Sequence, residues 1–163
     1  MRLIPFAVLL TLLINATAAQ GFDDLSSRAT LKGLRDVHVV VEEFTDHEKA
    51  AGFDKRTLQT DVELKLRLAG IKVLTKAEWR DAQEGSYLYL NVNALHKKPD
   101  DWSAFTVLLR FTQLVRLERN GVLLTAPTWS TGKVSYGDVS FARDIAKDLA
   151  DKFINAWLSV NPK

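Results

Sequence analysis

The spacing of apolar and polar positions changes period several times along this chain of 163 residues. Residues 37–44, "VHVVVEEF", are β-branched and mostly apolar, which predicts a buried strand. Residues 54–70, "DKRTLQTDVELKLRLAG", carry two competing periods. Val62, Leu64, Leu66 and Leu68 alternate with Glu63, Lys65 and Arg67, as in a strand. Against that, the segment is rich in helix formers, Asp54 suits an N-cap, and Gly70 stands where a helix would stop. Leu58, Val62, Leu66 and Ala69 also share one helical face, so a helix is expected. "IKVLT" (71–75) predicts a short strand and "KAEWRDA" (76–82) a short helix. Longer strands follow at 87–95, 104–119 and 122–136. Phe141, Ile145, Leu149, Phe153 and Trp157 recur at i, i+4 in a long amphipathic helix that Asn161-Pro162 ends. The order β-α-β-(α)-β-β-β-α predicts an α+β two-layer sandwich, a mixed sheet with its helices on one face.

Asn120-Gly121 predicts a two-residue hairpin turn, with Arg119 facing Val122. Counting outward, Phe111 faces Ser130 and Leu109 faces Gly132, with Phe105, Val107, Leu109, Phe111, Val115 and Leu117 on the buried face. That register bears on "APTWSTGKVSYG" (126–137). Ser130-Thr131-Gly132-Lys133 fits the S-x-x-K pattern of a serine nucleophile, and Gly132-Lys133 suggests a phosphate loop. A serine nucleophile of that kind opens a helix, however, and a phosphate loop needs glycine where Pro127 stands and Ser or Thr where Val134 stands. Ser130 and Gly132 are therefore expected to be packing positions, and no catalytic residue is assigned.

The same register places Trp129 opposite Thr112, Thr131 opposite Arg110 and Lys133 opposite Leu108. With Leu88, Leu90 and Val92 in the core, Tyr87 falls beside Thr112 and Tyr89 beside Arg110. The candidate binding surface on the helix-free face is thus Tyr87, Tyr89, Arg110, Thr112, Trp129 and Lys133. Two readings stay open: a surface for a protein partner, or a face covered by residues 20–35 or by a second copy.

Residues 1–20, "MRLIPFAVLLTLLINATAAQ", change the picture of where the chain works. A basic Arg2, an apolar run and small residues predict a signal peptide over 1–19, cleaved after Ala18 or Ala19. A periplasmic or secreted location follows, with no stable membrane anchor after cleavage. Residues 20–35 are weakly patterned and predict a loosely packed lead-in, leaving 36–163 as one α+β domain. The chain has no cysteine, which excludes disulfides, a thiol nucleophile and a lipidated N-terminal cysteine. Its net charge of +2 gives no basic stripe for nucleic acid.

Few other groups suggest chemistry. His38, His47 and His96 show no zinc spacing, and Glu42, Glu43, Asp46 and Glu48 lack the loop pattern of a calcium site. Neither metal nor cofactor is expected. "TDVELKLRLAGIKVL", "YLYLNVNAL", "APTWSTGKV" and "DLADKFINAWLSVNPK" together resemble a family of small exported bacterial proteins of unknown function. In architecture the chain also resembles the N-terminal domain of TolB and related envelope-assembly lipoproteins. That resemblance implies an interaction module of the cell envelope, here without the lipoproteins' anchoring cysteine. The expected function is a non-catalytic periplasmic binding or assembly module. The alternatives are a small hydrolase with a loop-built site and a structural homo-oligomer.

Overall fold

The computed structural model describes residues 21–82, 85–96 and 103–162, and the leader expected at 1–19 lies outside them. Among the described residues five helices and five strands follow in the order α1 (Leu25–Ala29), β1 (Asp36–Val41), α2 (Asp46–Ala50), α3 (Lys55–Ala69), β2 (Lys72–Leu74), α4 (Lys76–Asp81), β3 (Tyr87–His96), β4 (Ser103–Arg116), β5 (Leu123–Gly137) and α5 (Val139–Val160). The strands form one mixed sheet, β2-β1-β3-β4-β5, with β1 parallel to β2 and β3 and the rest antiparallel. This is the two-layer α+β architecture that the periodicity predicts.

The contested segment 54–70 is a helix. Asp54 accepts from the Arg56 amide at 2.8 Å, and Gly70 closes the C-terminus. Leu58, Val62 and Leu66 are buried, whereas Leu64 and Leu68 stay exposed, so the helical period decides which leucines enter the core. α5 buries Ile145, Leu149, Phe153 and Trp157 against the same sheet face, where Val37, Val39, Leu88, Leu90, Leu109 and Phe111 meet them.

Residues 21–35 correct the expected loose lead-in. Asp24 and Ser27 form a reciprocal capping box that starts α1. Leu31 is fully buried in the core, and Trp157 Nε1 donates to the Leu34 carbonyl at 2.8 Å. Before α1, the chain lies along the outer edge of β5. Phe22 N–H donates to Ser130 Oγ at 3.2 Å, and Ser130 N–H donates to the Phe22 carbonyl at 3.2 Å. A β-carbon on Gly21 would stand 2.0 Å from the Ser130 carbonyl oxygen, so only glycine allows this approach. The weak pattern arises because the segment is held by scattered single contacts, not by one periodic face.

Asp23 ties this segment down. It accepts from Trp129 Nε1 at 2.8 Å and from Arg28 Nε and Nη2 at 2.6 and 3.0 Å. Burial pushes its carboxyl up, but the hydrogen bonds from Arg28 and Trp129 outweigh burial and hold it below the usual 3.8. A lowered folded value means stability that is fully present above 3.8 and lost as pH falls through the folded value. Unfolding free energy measured from neutral pH downward should therefore fall as pH drops below that point. Asp23→Asn should be less stable at neutral pH and show a flatter acid limb; an unchanged limb would mean that the ion pair contributes nothing.

The hairpin also departs from expectation. Leu117 N–H donates to the Val122 carbonyl at 2.9 Å, so the loop runs through 118–121 and is not two residues long. Two-residue turns of the expected type need positive φ at both centres; here Gly121 has φ 71° and no described non-glycine residue is positive. A β-bulge then leaves Thr128 unpaired between Phe111↔Trp129 and Thr112↔Pro127. The longer loop and the bulge together change the register by one residue beyond Thr128, which turns every later β5 side chain to the opposite face.

Candidate functional site

On the face away from α3 and α5, β3 and β4 pair as expected, with Tyr89↔Arg110 and Tyr87↔Thr112. β1 extends this surface through His38↔Tyr87 and Val40↔Tyr89. Tyr89 is half-buried and its hydroxyl donates to Glu42. Burial first, then the bond to and the negative charge of Glu42, push the phenol up to about 12, while Arg110 pulls it the other way. The hydroxyl therefore stays protonated across physiological pH and is available only as a neutral donor and acceptor. Asn91 Nδ2 also donates to Glu42, and Asn93 Nδ2 to Asn91. The result is a row of polar groups on a rigid three-strand platform, with the exposed Arg110 guanidinium beside Tyr89.

Trp79, which sequence reasoning missed, completes one end. It lies on α4, stacks on His38 with ring centroids 5.2 Å apart, and meets Tyr87 edge-to-face at 5.8 Å. His38 Nδ1–H donates to the Leu74 carbonyl at 2.9 Å, which fixes the ring for that stacking. Among the described residues, the Trp79 indole nitrogen is buried without a hydrogen-bond partner. The available signal was composition: Trp79 is the one large apolar side chain of the short helix KAEWRD, so it is the residue that helix has to bury.

Two expected members do not belong to this face. Trp129 pairs with Phe111, is 0% exposed, and meets Phe153 edge-to-face at 5.2 Å in the core. Lys133 pairs with Val107, not Leu108, and so projects on the helix side of the exposed β5 edge. Both corrections follow from the bulge at Thr128. Thr112 is on the expected face but buried. Ser130 is buried as a packing position should be, yet opposite Arg110, under Phe22 and not against Phe111. Val115 and Leu117, expected in the core, are half-buried and exposed respectively.

The acidic group near β1 is engaged in local structure. Glu43 pairs with Lys55, and Glu48 Oε2 accepts from the Thr45 amide at 2.8 Å. Among the described residues no three His, Cys, Asp or Glu side chains converge as metal ligands, and no helix is long and apolar enough to cross a membrane.

Neither a protein-family model nor a curated protein sequence matches this chain. Solved structures do show likeness. A PelC dodecamer from Paraburkholderia phytofirmans is 19% identical, covering 74% of this chain and 87% of its own, at a TM-score of 0.46. A point variant of the same protein, also a dodecamer, gives 18% identity over the same shares, at 0.47. A minor lipoprotein from Acinetobacter baumannii is 15% identical over 78% of this chain and 94% of its own, at 0.37. No TolB structure is among these three. The likeness is one of chain path alone.

Proposed function

We propose that this chain is a non-catalytic binding module of the exported, envelope-located kind, which captures a protein partner on the sheet face opposite α3 and α5. One observation carries the reading: Tyr87, Tyr89 and Arg110 occupy adjoining register positions on a face that α3 and α5 leave open. Tyrosine and arginine supply large contact area with polar ends, and they dominate interface energetics. Strands hold them in place, so little entropy is lost on docking. The succession of charge, apolar run and small residues in 1–20 supports export.

The test is capture from envelope extract by the immobilised protein, followed by affinity measurement with the captured partner. Tyr89→Ala and Arg110→Ala should each weaken capture by about thirtyfold, the equivalent of about 2 kcal/mol. Melting temperatures should stay within a few degrees, and Arg56→Ala on the opposite layer should bind as the parent does. Unchanged capture by both site variants would remove this face from the function.

A further inference from the structure

β3 pairs with β4 only as far as Tyr87↔Thr112, so the last turns of the β4–β5 hairpin extend beyond the sheet as a two-stranded arm. Every residue from Arg116 to Thr125 is exposed. Leu114 and Leu123 occupy one face of this arm, while Leu117, Val122 and Leu124 occupy the other. Leu123 is 52% exposed and Leu114 and Val122 are each 49% exposed. A ribbon of two strands is marginal in water and gains stability from a further strand.

The middle of the outer β5 edge is guarded, and the arm is not. Phe22 is hydrogen-bonded to Ser130, the bulge distorts the edge at Thr128, and Pro127 offers no amide. Val122, Leu123, Leu124, Thr125 and Ala126 carry no charge and no such device. The hydrogen-bonding parity is also known. Leu117 bonds to Val122, so Val122, Leu124 and Ala126 turn their main-chain groups to β4. Leu123 and Thr125 therefore turn theirs outward, and Pro127, next in that outward set, ends it.

We infer that this edge pairs with the same edge of a second copy of the chain, antiparallel about a two-fold axis through Leu124. The segment is self-complementary in that register. Leu123 exchanges both main-chain bonds with Thr125 of the second copy, Thr125 does the same with its Leu123, and the two Leu124 side chains meet across the axis. No charge opposes a like charge. The two arms become one four-stranded ribbon, and the apolar residues on both its faces gain neighbours. This inference is independent of the Tyr89 face, which points away from the arm's edge.

Sedimentation velocity over a range of protein concentrations tests it. The protein should show a monomer–dimer equilibrium. Leu124→Lys, which sets two cations at the axis, and Thr125→Pro, which removes an outward amide, should each weaken the dimer at least tenfold. Tyr89→Ala should leave it intact. Because the chain has no cysteine, Leu124→Cys should form a covalent dimer under mild oxidation, while Val134→Cys should not. Circular dichroism shows whether each variant remains folded. A monomer at every concentration, a dimer indifferent to Leu124→Lys, or an open series of larger species would each overturn the inference.

Discussion

Trp129→Ala is expected to lower the unfolding free energy by about 3–5 kcal/mol, the cost of deleting a large buried aromatic and leaving a cavity. The side chain is 0% exposed, lies against Phe153 at 5.2 Å and pairs with Phe111. The substitution also strips Asp23 of its indole donor, leaving Arg28 as its partner. Trp129→Phe separates the two contributions. It keeps most of the apolar volume and loses the hydrogen bond, so it should cost about 1–3 kcal/mol. Urea unfolding followed by circular dichroism measures both. A melting temperature unchanged in Trp129→Ala would return this residue to the surface and undo the bulged register.

Leu31→Ala should cost about 2–5 kcal/mol, the range for a leucine wholly inside a core. Leu31 is 0% exposed, and its carbonyl accepts from Asn161 Nδ2 at 2.9 Å, just beyond the end of α5. Asn161 Oδ1 in turn accepts from the Gly33 amide at 2.7 Å. The segment between α1 and β1 is thereby fastened to the last turn of α5. A loosely packed lead-in would make the same substitution nearly neutral. Amide exchange gives an independent check, since Leu31 and Leu34 amides should open with the global transition and not by local fraying.

The two variants probe the places where sequence reasoning stopped short. A helix or strand of ten residues repeats its message every two or four positions, so one ambiguous residue does no harm. The segment 54–70 shows this: two periods compete, yet its caps and its buried leucines agree on a helix. The β3–β4 register is legible for the same reason, because any slip would turn Leu88, Leu90 and Val92 out of the core. Tyr87 beside Thr112 and Tyr89 beside Arg110 follow directly. The β4–β5 register depends on a single loop and a single unpaired residue, Thr128, and neither leaves a periodic trace. Trp129 and Lys133 change faces together, because one inserted residue moves every side chain after it.

The order of residues alone was enough for the architecture, for the core faces of α3 and β3, of β4 from Phe105 to Phe111 and of α5 from Ile145 onward, and for half of the candidate surface. Each of these rests on a repeated apolar pattern that burial must satisfy. Val115, Leu117 and Phe141, expected on the same faces, are not buried. Other features became visible only in the folded chain: Leu31 belongs to the core, Trp129 faces Phe153, Trp79 covers His38, and the hairpin arm projects with an unguarded edge. These depend on single contacts between residues far apart in the chain. A lone capping box, one aspartate under an indole or one bulge has no period to announce it, and its energy appears only once the distant partner is in place.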